Sequence, residues 1–265
     1  ENNVGHFVVD NFFELETLDR LAAQQNKVAD ISLRIKPGIE AHTHEAVMTG
    51  QIDSKFGFAL ETGEAMEAVK FATKFRHVRL KGMHNHIGSQ IFDIEPFKSA
   101  AKVMLEFMNQ IRTETGIVIE ELNLGGGFGI KYVDSDKPVP YGDYMKEISH
   151  VVYQTCETLD FPVPYIFMEP GRSIVGEAGI TLYRVGGIKE IPNIRTYVSV
   201  DGGMTDNPRY ALYQSEYSVV VANKANEPAV QKVTIAGRCC ESGDLIQENT
   251  MIQDVEVGDT LAVLS

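Results

Sequence analysis

The chain is short of positive charge: its 265 residues hold 24 Lys and Arg against 37 Asp and Glu, a net charge of −13. Nucleic acid and anionic membrane surfaces reward clustered basic side chains, so neither is expected as a main partner. Long apolar runs are missing too. No stretch approaches the roughly 20 residues that cross a bilayer, and no signal-peptide pattern opens the chain. Cysteine is scarce. Cys156, Cys239 and Cys240 are odd in number and two are adjacent, which suits a reducing cytoplasm better than a disulfide framework. The chain opens on Glu1 without a Met and stops in the strand-like DTLAVLS, so both ends are expected to be cuts within a longer protein.

What is present is enough apolar material, 43% of residues, for a large core in one or two domains. Up to about residue 176, strand-like and helix-like segments alternate. His6–Val9 and Ile31–Ile35 read as strands, Phe13–Ala23 as a helix with an acidic start, and a long loop leads to a helix over Glu64–Phe75. Val78–Met83 precedes a helix over Pro96–Thr115, in which Phe97, Ala101, Met104, Leu105, Met108 and Ile111 share one face. Glu121–Leu124 leads through a glycine-rich turn to a helix over Tyr144–Leu159, and Tyr165–Met168 is the fifth strand. Strand–helix units in series predict parallel pairing with right-handed crossovers. Beyond Gly176 the texture changes. Leu182–Ile191, Arg195–Val200, Glu216–Ala222, Val230–Ala236 and Thr260–Leu264 are strand-like, and no helix is expected among them. The division expected is therefore 1–176 as an α/β part and 177–265 as an all-β part.

Polar chemistry gathers where the strands end. Val78–Met83 runs into HNHIGSQ (84–90), Leu122–Leu124 into GGGFG (125–129) and Tyr165–Met168 into EPGR (169–172). Successive βα units place such turns on one C-terminal face, where barrel enzymes keep their chemistry. Three glycines let backbone N–H groups approach an anion with no Cβ in the way, although an ordinary tight turn would read the same. Glu169 and Arg172 set opposite charges beside backbone N–H groups, which suits a phosphorylated ligand; the plainer reading is a surface ion pair at a strand end. Alternation puts His84 and His86 on one face, as a metal pair requires. No further Cys, Asp or His follows nearby to complete a ligand set, and no metal is expected. His42 and His44 read as solvated. Cys156, on an apolar helix face, reads as a packed thiol, and Cys240 allows the same reading. Arg209 and Tyr213, spaced i and i+4, allow an ordinary surface pair.

Six segments carry a family likeness: LRIKPGIEAHTHEAVMTGQIDSKFGF (33–58), HNHIGSQI (84–91), LNLGGGFGI (122–130), MEPGRSIV (168–175), VDGGMTDNPRYALY (200–213) and CCESGDLI (239–246). In this order, and over nearly the whole chain, they resemble the fold-type III PLP-dependent decarboxylases, in the branch that acts on meso-diaminopimelate. Asn85 departs from the family pattern, which often has Cys or Ala there, and is expected to be tolerated. The resemblance implies part of a (β/α)8 TIM-like barrel followed by an all-β C-terminal domain. It also implies pyridoxal 5'-phosphate as cofactor, decarboxylation of meso-diaminopimelate to L-lysine and CO2 in lysine biosynthesis, a cytoplasmic location, and a homodimer with a shared active site.

Roles follow from the same resemblance, residue by residue. Glu169 would bond the pyridine nitrogen and keep it protonated, so that the ring accepts the electrons left by departing CO2. His86 would stack on the ring, while Ser89, Gly126, Gly127, Gly171 and Arg172 surround the phosphate. Arg172, with Arg209 and Tyr213, would also hold the distal carboxylate of the substrate. Cys240 would join His86 as a catalytic residue by returning a proton to Cα, and Glu241 would bind the distal ammonium. Cys240 and Glu241 are expected to reach the other subunit's cofactor, with Lys55 at the interface facing Asp244 of the other subunit.

One expected feature is missing. The family places the Lys that tethers PLP in a Tyr-Ala-x-Lys-like motif at the end of the first barrel strand, and no such motif occurs. Lys55 lies in SKFG, which matches the interface segment instead. The resemblance thus implies that roughly three βα units of the barrel precede Glu1 and that a Tyr-containing segment follows Ser265. On that reading this span alone does not decarboxylate. Two other readings stay open: a decarboxylase of another basic amino acid or carboxylated polyamine, and a non-catalytic PLP-binding regulator.

Overall fold

In a computed structural model, residue 2 and residues 4–39 and 55–264 are described; His42, His44 and much of the 33–58 segment lie outside them. Two compact units form. The first comprises Glu1–Gly129 and Pro138–Gly171, the second Ile130–Lys137 and Arg172–Ser265. They divide five residues before the expected boundary at 176, and the 130–137 segment joins the second.

In the first unit the order is β1 (Phe7–Val9), α1 (Phe12–Gln24), β2 (Ala29–Lys36), β3 (Phe58–Ala59), α2 (Glu64–Ala72), β4 (Val78–His84), α3 (Glu95–Thr115), β5 (Glu121–Asn123), α4 (Tyr141–Thr158) and β6 (Tyr165–Phe167). Local chemistry marks the start of α1 and the end of α3. At α1 the Asn11 side chain accepts from Glu14 N–H (3.0 Å), and the Glu14 carboxylate reaches back to Asp10 N–H (2.7 Å), so the acidic start is a capping arrangement. Gly116, in the left-handed region at φ 76°, ends α3. All six apolar residues predicted to share the α3 face are buried, joined by Ala100 and Phe107.

The strands pair in parallel in the order β1-β2-β4-β5-β6, with the two-residue β3 beside the end of β2. Register places Arg34, His84, Asn123 and Phe167 in one row across the carboxyl ends of β2, β4, β5 and β6. Directly paired residues point to the same side of a sheet, so this row fixes which side chains can meet there. β6 closes the path as an edge strand with Tyr165, Ile166 and Phe167 all exposed.

The second unit begins with a helical turn, α5 (Arg172–Val175), followed by β7 (Ile180–Ile191), β8 (Arg195–Val200), α6 (Arg209–Tyr213), β9 (Ser218–Val221), β10 (Gln231–Ala236), β11 (Leu245–Ile252) and β12 (Thr260–Leu264). Its sheet runs β11-β10-β8-β7-β12-β9, antiparallel except for the parallel β8–β10 pair. Two elements differ from the sequence reading. Residues 209–213 form a short helix, and β11 is a strand that LIQENTMI does not announce. Of its polar residues Gln247 is buried and Glu248 half-buried, and both are hydrogen-bonded. Buried Gln247 accepts Tyr217 N–H (2.9 Å), and Glu248 receives Arg195 (2.5 Å) and the Tyr210 hydroxyl (2.7 Å). Hydrogen bonding, not hydrophobicity, holds the polar residues of this terminal strand.

Candidate active site

Three turns converge in the first unit. After β6 the chain carries Glu169 back onto the face of the Arg34–His84–Asn123 row, pinned by its own N–H to Gly125 O (2.8 Å). The His84 ring reaches Glu169 Oε2 through Nε2 at 3.2 Å, and Asn123 Nδ2 donates to Oε1 at 2.9 Å. Both carboxylate oxygens are therefore held by neighbours in the row. The His84 bond, helped by Asn123, pulls the Glu169 carboxyl down to about 2 against the opposing effect of burial. Its side chain is nevertheless 48% exposed, leaving open space in front of an ionised acid.

His86 follows two residues after His84. Its Nδ1 accepts the Gly126 N–H at 3.3 Å, so the glycine turn orients the imidazole. Burial, then the positive charge of Arg34, pushes its pKa down and keeps the ring neutral. Arg34 is itself partly buried, 3.7 Å from Asp10 and with its guanidinium 4.2 Å from the centre of the Phe56 ring.

The triple glycine has a packing reason beside any role toward an anion. A Cβ at Gly126 would strike the Glu169 carbonyl, and one at Gly127, where φ is +100°, would strike the Gly88 carbonyl. The turns bearing His86, Ser89 and Glu169 can close on one another only across bare backbone. Phe128 fastens this loop to the core. It stacks on Phe97 (4.8 Å between centroids) and meets Tyr141 and Tyr144 edge-on, and the buried Tyr144 hydroxyl donates to Ile91 O at 2.9 Å.

In the second unit, Arg172 and Arg209 converge on Tyr132. The Arg209 guanidinium lies 3.5 Å from the Tyr132 ring centre and 5.4 Å from that of Tyr217, and Arg172 lies 5.5 Å from the Tyr132 centre. Burial lowers the Arg209 pKa, and the nearby charge of Arg172 adds to this. Tyr213 ends α6 and is half-buried. Cys240 and Glu241 are exposed on the loop between β10 and β11. Buried Asp244 anchors that loop, accepting from Met204 N–H (2.6 Å) and Cys239 N–H (2.7 Å). Asp244 is therefore engaged within its own chain, while Lys55, in the first unit, is exposed with its ammonium 5.1 Å from the Phe56 ring centre. Cys156 is buried, and burial raises its pKa.

The structure thus brings Glu169, His86 and the glycine turn together in the first unit, with Ser89 and Gly171 on the adjoining loops, and Arg172 with Arg209 in the second. Sequence reasoning passed over Arg34, Asn123 and Tyr132, and weighed His84 only as a metal ligand. The signal that could have found two of these was the period of two: His84 and Asn123 each stand two residues before a turn residue already singled out.

A parallel α/β sheet with acidic, imidazole and glycine turns at its strand ends, followed by a separate mixed β-sheet, defines the class of fold-type III PLP-dependent decarboxylases. The chain belongs to the pyridoxal-dependent decarboxylase family, whose pyridoxal-binding-domain model matches residues 1–176. Diaminopimelate decarboxylase of Halalkalibacterium halodurans is 49% identical over 263 residues, 99% of this chain and 60% of that protein. The Bacillus subtilis enzyme of the same name is 46% identical over 263 residues, with the same coverage of each. A crystal structure of diaminopimelate decarboxylase from M. jannaschii in complex with L-lysine superimposes with a TM-score of 0.87 at 35% identity, covering 99% of this chain and 59% of the other. The chain spans about 60% of the length of the curated relatives it matches. Among the described residues, no helix is long and apolar enough to cross a membrane.

Proposed function

We propose that this chain supplies most of the cofactor cradle and the substrate clamp of a PLP-dependent decarboxylase that converts meso-diaminopimelate to L-lysine and CO2. The observation that carries the reading is Glu169, ionised and held at both oxygens by His84 and Asn123, with open space before it. That donor set fits a pyridinium: a fixed carboxylate pairs with a protonated ring nitrogen, and neutral His86 offers a flat face to the ring. Bound PLP supplies an electron-poor pyridine that takes up the electron pair left when CO2 departs.

Each side chain then has a definite task. Glu169 holds the proton on the ring nitrogen, and His84 with Asn123 keeps Glu169 ionised and aimed. His86 covers the ring, oriented by Gly126 N–H. Ser89, Gly126, Gly127, Gly171 and Arg172 surround the phosphate. Arg209, with Arg172 and Tyr213, binds the distal carboxylate, while Glu241 takes the distal ammonium and Cys240 returns a proton to Cα. Exposure of Cys240 and Glu241 supports a homodimer in which they serve the other subunit's site. Lys55 would sit at that interface; Asp244, already bonded to two amides, would meet it only as an additional partner. A cytoplasmic location belongs to the same reading.

The test is CO2 release by the intact protein, including whatever flanks this span, with meso-diaminopimelate and ornithine in parallel. Turnover of meso-diaminopimelate well above ornithine is expected. The reverse preference would favour the alternative of another basic amino acid as substrate, and no turnover of either would favour a regulator.

A further inference from the structure

Arg209 is in an unusual position for a half-buried cation. Its guanidinium is partly desolvated, yet among the described residues it forms no ion pair with a carboxylate; the hydrogen bond it makes donates to the Glu216 carbonyl (3.0 Å). Buried charges are ordinarily paired. Here the compensation comes from two π-faces, Tyr132 at 3.5 Å and Tyr217 at 5.4 Å. The same Tyr132 ring also receives Arg172 at 5.5 Å, so one aromatic side chain keeps two guanidiniums near each other against their repulsion.

Tyr132 is in turn fixed by its backbone. Asp136 Oδ2 accepts both Tyr132 N–H (2.9 Å) and Val133 N–H (3.1 Å), and the Tyr132 carbonyl accepts the Ser218 hydroxyl at 2.7 Å. The ring meets Tyr217 edge-on at 5.8 Å. The platform is thus held from both sides before any ligand arrives. Two cations gathered on one rigid π-face, with a guanidinium lacking a carboxylate, form a place prepared for an anion brought from outside.

We infer that Tyr132 is a positioning and specificity-determining residue: its ring presents Arg172 and Arg209 to the distal carboxylate of the substrate. The inference rests on the proposed decarboxylase reading and concerns the far end of the ligand, which a simple diamine or monocarboxylic amino acid lacks.

The experiment uses the intact PLP-loaded protein. Tyr132→Phe keeps the ring and is expected to leave KM for meso-diaminopimelate within about twofold, whereas Tyr132→Leu is expected to raise it about fivefold to tenfold with kcat little changed. The dissociation constant of cadaverine, a diamine that has no carboxylate at either end, is measured by calorimetry and should stay near the wild-type value in both variants. An unchanged KM in Tyr132→Leu overturns the inference, as does a rise in KM matched by equally weaker cadaverine binding, the mark of a merely structural role. Should Tyr132→Leu fail to fold, stepwise fluorinated phenylalanines at position 132 keep the shape and drain the π-face. KM should then climb with each fluorine, and a flat series overturns the inference. Absence of meso-diaminopimelate turnover by the wild-type protein is a separate result, and it strikes the decarboxylase reading first.

Discussion

Glu169 shows how much a single carboxylate depends on its neighbours. Alone at a strand end it would titrate as an ordinary acid; between His84 and Asn123 it is held down to about 2. Since its folded pKa lies below the usual 4.5, its ionised bonds are fully present above about pH 4.5 and are lost as pH falls toward 2. Removing the imidazole leaves burial, which acts upward, less opposed. His84→Leu in the intact protein should therefore weaken PLP binding at pH 7, and weaken it further at pH 5 relative to wild type. Equilibrium dialysis of PLP at both values measures this, and a variant-to-wild-type ratio that does not change with pH would count against His84 as the group that keeps Glu169 charged. Glu169 and His86 were legible in the sequence because each stands in a distinctive turn. His84 and Asn123 were not, because their partner lies 85 and 46 residues away, and only strand register brings them to it.

Loops and strands carry the next level of constraint. The glycine turn is firm because Phe128 is plugged into an aromatic cluster, not because glycine is rigid. Phe128→Ala removes a ring that is 3% exposed and is expected to cost about 3–5 kcal/mol, read as a lower urea midpoint with little change in slope. The loop of Cys240 is firm for a polar reason. Asp244→Ala strands the Met204 and Cys239 amides and should cost about 1–3 kcal/mol by the same measurement. It should also alter the rate at which the exposed Cys240 thiol is alkylated. Among the elements, α3 was readable in full from its apolar period, whereas β11 was hidden. An alternation of apolar and polar residues announces a strand only when its inward positions are apolar, and here Gln247 faces inward with a hydrogen-bond partner.

For the whole molecule, the chain matches about 60% of the length of its curated relatives and contains no Tyr-Ala-x-Lys motif. Produced as this span alone it is expected to give no CO2 from meso-diaminopimelate above background. Turnover by the isolated span would show that the tethering Lys is dispensable or is supplied by another residue. The open parallel sheet ends on β6, whose three residues are all exposed, and an apolar edge strand is a surface other strands can join. The isolated span should accordingly be less soluble than the intact protein, which sedimentation of the two at equal concentration will check.

The sequence by itself determined the rhythm of strands and helices, the helix faces, the three turns that carry chemistry and the family to which they belong. These are local patterns, set by periods of 2 and 3.6 residues and by the few residue types a turn or an anion admits. Tertiary structure alone decided what each charge meets. Parallel register lined up Arg34, His84 and Asn123 to receive Glu169, and the short 130–137 segment grouped with the β-sheet unit, setting Tyr132 beneath two arginines. A long-range contact leaves no period in the chain; it exists only once distant strands and loops have been brought side by side.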